Sequence, residues 1–296
     1  MTSNVGPLRS SPSGTAAIHP RRLSTAGRHD AAAGPRLRKQ LSIVIPALNE
    51  RVNMPRVLAT IPHAGLASIG YESEVIVVDN ASTDGTGEVA AALGARVILQ
   101  AVRGYGHAYH AGFAAATGDV IATGDADCTY PFDDLPVLLD TLSEKQLDFL
   151  STNRLGAENR EAMKPTHRVG NQVLTAVSRV FFRSPFKDSQ SGMWVFRRHV
   201  WNHLDIRSGG MPFSQEIKND AYVRGFRCGE VPIRYRVRGG EVKLKALRDG
   251  LGNLSQLAGH RVRTMRGPAT ERCVGDTGCA LVSHTGTAPA VPTLAD

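Results

Sequence analysis

The sequence predicts an α/β fold built on a mainly parallel sheet flanked by helices, and three observations lead there. From residue 41 onward short apolar runs alternate with helical patterns, the rhythm of successive strand and helix units. Clusters rich in Asn, Asp, Ser and Gly follow the first, second and fourth runs, at the carboxyl ends where ligands bind an open parallel sheet. At 296 residues the chain is long enough to bury a substantial core.

In chain order, residues 41–46 read as a buried strand, 51–61 as a helix, 74–79 as a second strand and 84–93 as a helix. A third strand at 96–99 precedes a helix at 106–116 made mostly of small residues, and 119–123 is a fourth strand. The helix at 133–142 leads into a strand at 147–152. Beyond it the rhythm weakens, with helices at 167–182 and 215–224 and strands at 193–196 and 230–235. One domain is expected over 41–240, in two fused halves, 41–150 and 151–240.

The ends differ from the middle. Residues 1–40 are rich in Ser, Gly, Pro, Ala and Arg without apolar periodicity, residues 267–296 form a Thr/Gly/Ala/Pro tail, and both read as disordered. The net charge of +8 is uneven: residues 1–40 carry +6, 41–234 carry −2, 235–266 carry +6 and 267–296 carry −2. Basic flanks suit an anionic membrane surface. Nucleic acid is the weaker partner, since no binding motif is present and aromatics are only 6%. Over 241–266 Leu244, Leu247, Leu251, Leu254, Ala258 and Val262 share one helical face, with Lys245, Arg248, Arg263 and Arg266 off it. Packing on the domain and binding a membrane interface are both open for this basic amphipathic segment.

No run is long and apolar enough for a membrane span, and the N-terminus lacks an apolar signal core, so a cytoplasmic protein, peripheral on the cytoplasmic face of a membrane if it meets one, is expected. Cys128, Cys228, Cys273 and Cys279 form no CxxC pair, which gives neither a zinc pattern nor a disulfide framework.

The chemistry concentrates in Gly124-Asp125-Ala126-Asp127. Two carboxylates at that spacing can share a divalent cation, Mg²⁺ or Mn²⁺, and bridge it to nucleotide phosphates. Arg103-Gly104-Tyr105-Gly106 could be mistaken for a dinucleotide fingerprint, but Tyr109 stands where the third glycine belongs. The amides opening that helix are expected to face phosphate. Ser82 and Asp84 read as turn and capping residues, and His107 and His110 as packing or surface residues.

Five motifs in order, Ile43-Val-Ile-Pro-Ala-Leu-Asn-Glu50, Val77-Val-Asp-Asn-Ala-Ser-Thr-Asp-Gly-Thr86, Arg103-Gly-Tyr-Gly-His107, Gly124-Asp-Ala-Asp127 and Asp188-Ser-Gln-Ser-Gly192, resemble the family 2 glycosyltransferases. Asp127-Cys-Thr-Tyr-Pro131, Asn153-Arg154 and residues 235–244 are most similar to the polyprenyl-phosphate sugar synthases of the dolichol-phosphate mannosyltransferase type. The resemblance implies the GT-A fold, with a Rossmann-like sheet whose first half binds a nucleotide sugar and whose second half faces the acceptor. It implies that Pro46, Ala47, Asn49 and Glu50 wall the base and ribose, with Asp79 at the base or ribose edge and Arg103 and Ala126 lining the donor. Asp125 would lie near ribose and sugar and Asp127 would be the principal metal ligand. Thr129 occupies a place where the family often has an acid or amide helping the metal, so it implies a weaker or water-mediated hold.

On the acceptor side Arg154, Arg168, Gln190 and Ser191 resemble the groups that meet acceptor phosphate, Asp188 the residue that orients or deprotonates the acceptor, and Arg238 and Lys243 basic residues that reach the diphosphate. The implied reaction is inverting transfer of a hexose to a polyprenyl phosphate. A sugar or small-metabolite hydroxyl is the alternative acceptor, and it would need Asp188 or Glu216 as base. A non-enzymatic nucleotide-binding protein would show a disrupted aspartate pair, and this pair is intact.

Overall fold

The computed structural model describes residues 38–238 and 246–266, with side chains over 38–238 and 252–265. The tails expected at 1–40 and 267–296 lie outside these residues except at 38–40, and so does Lys243. Seven strands form one sheet: β1 (Lys39–Ala47), β2 (Tyr71–Asp79), β3 (Arg96–Leu99), β4 (Val120–Thr123), β5 (Phe149–Asn153), β6 (Trp194–Arg197) and β7 (Cys228–Pro232). Their order is β3-β2-β1-β4-β6-β5-β7, and every pair is parallel except those of β6 with β4 and β5. The expected mainly parallel α/β architecture is therefore observed, with one antiparallel strand in its interior.

The helices are α1 (Met54–Ala59), α2 (His63–Ser68), α3 (Thr86–Ala92), α4 (Tyr105–Ala115), α5 (Leu135–Glu144), α6 (Pro165–Phe182), α7 (Arg198–Asn202), α8 (Phe213–Val223) and α9 (Ala246–Arg266). Strand alternation sorts them into two layers. Leu41, Ile43 and Ile45 of β1 pack with Met54, Val57, Leu66 and the leucines of α5. Val44, Ile76 and Val78 face the other way, onto Ala108 and Phe113 of α4 and Phe213 and Ile217 of α8. Burial on both faces explains why β1 and β2 read as unbroken apolar runs. Two short helices, α2 and α7, were not expected, because six and five residues span too few turns to show a helical period.

Helix α9 packs on α6 and α8. Among its described side chains Asn253, Leu257 and His260 are buried, while Val262, placed on the apolar face by the sequence pattern, is 43% exposed. The reason is the partner. Helix α8 is buried along Phe213–Ala221 yet carries Gln215, Glu216 and Asp220, and α9 answers them with polar groups. Gln215 Nε2 donates to the Asn253 carbonyl at 2.8 Å and to Gln256 Oε1 at 3.0 Å, Arg263 pairs with Glu216, and His260 lies 3.4 Å from Asp220. Among the described residues no helix is long and apolar enough to cross a membrane.

The small residues of α4 let it approach the sheet. A Cβ on Gly112 would meet Val44 Cγ1 at 2.4 Å and Val78 Cγ2 at 2.9 Å, both in fully buried side chains. Gly112→Ala should therefore lower unfolding free energy by about 1–3 kcal/mol through overpacking, read as a shift in urea midpoint at constant m-value.

Candidate active site

The carboxyl ends of β1, β2 and β4 come together as three stitched loops. After β1, Asn49 adopts φ 51° and accepts at Oδ1 from Thr83 N at 2.8 Å, while its own amide donates to Ser82 Oγ at 3.0 Å. Glu50 N donates to Thr86 Oγ1 and Arg51 N to Asp84 Oδ2. Asp84 also takes the Thr86 amide at 3.0 Å in a local turn, while α3 has Gly85 at its N-cap without a side-chain cap and Ser82 Oγ serves the Asn49 loop. Asp79 closes β2 opposite Ala47 and accepts from Ser82 N at 2.9 Å. Asn80 extends the stitching, taking Gly104 N at 2.7 Å and donating to the Gln100 and Val102 carbonyls. Arg103, exposed, donates to the Ala81 carbonyl.

Three non-glycine residues with left-handed backbone sit in these loops, Asn49, Ala81 and Cys128 at φ 51°, 60° and 66°. Each such residue costs on the order of 1–3 kcal/mol, and the surrounding hydrogen bonds hold it there. One expectation fails nearby. The α4 amides do not all face outward, because His107 N donates to the Gly209 carbonyl at 3.0 Å, the loop before α8 lying over that helix end. His110 packs edge-on against Trp201 and Phe213, and Tyr109 is fully buried, which accounts for its place in the glycine motif.

Asp125 and Asp127 follow β4. Asp125 accepts from Tyr105 Oη at 3.1 Å, and burial together with the charge of Asp127 pushes its carboxyl up to about 7. Asp127 is 2% exposed; its Oδ1 takes both the amide and the hydroxyl of Thr129, at 3.1 and 2.5 Å. Its buried Oδ2 makes no hydrogen bond of ordinary geometry and faces the Arg238 guanidinium at 2.5 Å. Two carboxylates, one with a buried oxygen facing a guanidinium, fit a hard divalent ion. The Thr129 hydroxyl donates to Asp127, which fixes that carboxylate. Ala126, expected to line the donor, turns its methyl into the core and offers that site its backbone. Among the described residues no cluster of three or more His, Cys, Asp or Glu could hold a metal alone.

The 188–192 segment forms the opposite wall. Asp188 is fully buried and grips Arg154, with Nε to Oδ2 at 2.8 Å, Nη2 to Oδ1 at 3.0 Å, and the Arg154 amide to Oδ2 at 3.0 Å. Burial raises the Asp188 carboxyl, but the Arg154 charge and hydrogen bonds outweigh it and leave the group below its ordinary value. Arg154 also stacks over Tyr235, 5.3 Å from the ring centroid. The fork expected to be open is thus a buried pair. Arg168, in the first turns of α6, donates to the Leu155 and Gly156 carbonyls beside it. Gln190 donates to Ser189 and Gln215, and Ser191, expected beside the acceptor, is fully buried on Thr152 at 2.8 Å. Glu216, the alternative base, is fully buried, pairs with Arg263 and accepts from Ser208 N at 2.9 Å.

A tyrosine cluster joins the two walls. Gly192 N donates to Tyr130 Oη at 2.7 Å, Tyr109 Oη donates to the Gly192 carbonyl at 3.3 Å, and Tyr105 reaches Asp125. Tyr105 and Tyr130 lie inside motifs visible in the sequence, but nothing in those motifs assigns their hydroxyls. Behind them Asn159 ties Arg154 to the segment after β7, donating to the Arg154 and Ile233 carbonyls and accepting from Tyr235 N. Arg236 N then donates to the Thr129 carbonyl at 2.9 Å, which delivers Arg238 to Asp127.

A model of the family described as Glycosyl transferase family 2 matches residues 42–204, across all three loops and the 188–192 wall. The chain belongs to that family. It is 40% identical over 212 residues to the low-salt glycan biosynthesis hexosyltransferase Agl6 of Haloferax volcanii, covering 71% of this chain and 51% of that protein. The chain thus spans about half the length of that relative. A dolichyl-phosphate hexose transferase of the same organism is 33% identical over 211 residues, covering 71% of this chain and 89% of its own length. Among solved structures, glucosyl-3-phosphoglycerate synthase from Mycobacterium tuberculosis, in complex with Mn²⁺, UDP and phosphoglyceric acid, superposes with a TM-score of 0.60 at 22% identity. That match covers 78% of this chain and 80% of the synthase. The fold is GT-A and the protein is a glycosyltransferase.

Two predictions follow from the walls. A Cβ on Gly192 would sit 2.2 Å from Tyr105 Oη, so Gly192→Ala should cost about 1–3 kcal/mol by overpacking, and adding Tyr105→Phe should recover part of it in a double-mutant cycle. Arg154→Met strands Asp188 in the interior and should cost about 3–5 kcal/mol in chemical denaturation, whereas an arginine open to solvent would cost almost nothing.

Proposed function

We propose that the chain transfers a hexose from a nucleoside diphosphate sugar to a polyprenyl phosphate, with inversion at the anomeric carbon, using a divalent cation held by Asp125 and Asp127. The observation that carries the acceptor is the state of the two carboxylates that could act as base. Asp188 is locked on Arg154 below its ordinary pKa, and Glu216 is buried on Arg263. A hydroxyl acceptor needs a base; a phosphate arrives already anionic. The name of the dolichyl-phosphate hexose transferase that resembles this chain supports the same acceptor class.

In this reading the 49–50 and 79–84 loops bind base and ribose, with Pro46, Ala47 and Arg103 at their edges. Mg²⁺ or Mn²⁺, when bound, neutralises charge on the departing diphosphate, and the solved mycobacterial synthase of the same fold carries Mn²⁺ with UDP. Arg238, resting on Asp127, is within reach to pass to that diphosphate, and Lys243 is assigned to the same task. An acceptor phosphate oxygen attacks the anomeric carbon as the bond to the diphosphate breaks, and no proton has to move. Arg154 fixes Asp188, which orients the acceptor with Gln190, while Arg168 adds positive charge for its phosphate. Ser191 contributes by holding that segment on Thr152.

A lipid acceptor also requires a membrane face. Residues 162–187 contain five Lys and Arg and no acid, and α6 exposes Val169, Val173 and Val180. These features support peripheral contact with an anionic bilayer through α6. A small anionic acceptor is the competing reading, carried by the phosphoglyceric acid in the mycobacterial complex.

With a panel of nucleotide sugars and Mn²⁺, transfer to a short polyprenyl phosphate should exceed transfer to soluble phosphates and sugars; the reverse preference removes the lipid acceptor. Asp127→Ala should lower kcat by about two to three orders of magnitude, and full activity in chelator removes the metal assignment. Arg168→Ala should raise KM for the lipid phosphate with the donor KM unchanged.

A further inference from the structure

Lys218 is a fully buried lysine on α8 with no place in the reaction as described above. Its Nζ donates to the Asp188 carbonyl at 2.7 Å. The Asp188 amide donates to Glu230 Oε1 at 3.0 Å, and the neighbouring Lys187 amide donates to the same carboxylate at 3.0 and 2.9 Å. Asp188 is therefore gripped at its amide by Glu230, at its carbonyl by Lys218 and at its carboxylate by Arg154. From this anchor the chain runs through Gln190 and Ser191 to Gly192, which touches the tyrosines around Asp125.

We propose that Lys218 is a positioning residue for glycosyl transfer, fixing residues 188–192 through the hydrogen bond that its Nζ donates to the Asp188 carbonyl. The inference rests on the reading that this segment meets sugar and acceptor. Four ionisable groups make the cluster, Arg154 and Lys218 with Asp188 and Glu230, and it is neutral when all four are charged or when Lys218 and Glu230 are both neutral. A charged donor also holds a carbonyl more strongly than a neutral amine does. Burial brings the ammonium down from 10.5 to about 7, opposed by the charges of Asp188 and Glu230 and aided by that of Arg154. Burial likewise raises the Glu230 carboxyl.

Among the described residues the charged groups on neighbouring elements have partners of their own. On α8 itself Glu216 and Asp220 are engaged by Arg263 and by Arg224 and His260. From α6, Ser178 bonds Asn219, and from α4 His110 has His107 and Glu216 as charged neighbours. No sequence signal marks Lys218, because a lysine in a helical pattern reads as a solvated surface residue.

Hydrogen exchange on the substrate-free protein tests this without any assumption about the acceptor. After correction for intrinsic rates, protection of the 189–192 amides in the wild type should rise by about an order of magnitude per pH unit above about pH 7, because opening that frees Lys218 takes up a proton. Lys218→Arg, which keeps the charge, should hold protection constant, and Lys218→Met should leave the segment poorly protected at every pH. Flat protection in the wild type, or wild-type behaviour in Lys218→Met, overturns the proposal. Wild type and Lys218→Arg decide the matter by themselves if Lys218→Met does not fold.

Two further readouts bear on it. The folded chain releases this proton near pH 7 and the unfolded chain near 10.5, so the stability contributed by this group rises with pH across that window. Lys218→Met should remove that slope, and its persistence counts against Lys218. In kinetics, Lys218→Met should raise the acceptor KM while nucleoside diphosphate binding stays unchanged. Failure to find any polyprenyl-phosphate activity overturns the reading of function and leaves the exchange result standing.

Discussion

The antiparallel insertion of β6 between β4 and β5 is the constraint from which the site follows. In a parallel sheet every strand delivers its carboxyl-end loop to one rim. A strand that runs the other way brings its entry loop to that same rim. Residues 188–193 thus arrive beside residues 124–129 and Arg154, although more than sixty residues separate them from Asp125. One buried hydroxyl secures the junction: Thr123 Oγ1 donates to the Gly192 carbonyl at 2.8 Å and accepts from Trp194 N at 2.9 Å. The Asp125 and Asp127 carboxylates and the 188–192 wall are therefore two sides of a single strand crossing.

Charge is distributed across that crossing in opposite senses. Asp125 and Asp127 crowd each other on the donor side, and the resulting repulsion with burial favours a proton or a cation there. Arg238 supplies a counter-charge on Asp127 from a segment that is itself tied to Thr129. Across the cleft the charges are already matched, Arg154 with Asp188 and Lys218 facing Asp188 and Glu230. One wall is electrostatically unsatisfied and suited to binding an ion and phosphates; the other is satisfied and suited to holding a fixed shape. Between α8 and α9 a buried seam is likewise polar, with the Arg263–Glu216 ion pair, the Gln215 hydrogen bonds and the His260–Asp220 contact beside Leu257.

Several candidate site positions were legible because they depend on residue type at a strand end. Asp79, Asp125 and Asp127 need only a carboxylate in a loop after a strand, and alternation of apolar runs locates those loops. Roles that depend on where a side chain points were not legible. Arg154 and Ser191 stand in recognisable motifs, yet one is half of a buried pair and the other is turned inward to Thr152. Thr129 stands in the same motif as Asp127, and its hydroxyl turns to that carboxylate. Lys218 and Glu230 have no motif, since their meaning arises only from the meeting of α8, β7 and the 188–192 segment.

By itself the sequence determined the α/β class, the position of the carboxyl-end loops and the family, because these follow from local periodicity and from short runs of residue types. The tertiary structure alone decided the direction of β6, the face by which α9 docks, and which charged groups are paired. Those outcomes depend on contacts between residues distant in the chain, where an ion pair or a hydrogen bond to a carbonyl can outweigh the preference of any single residue.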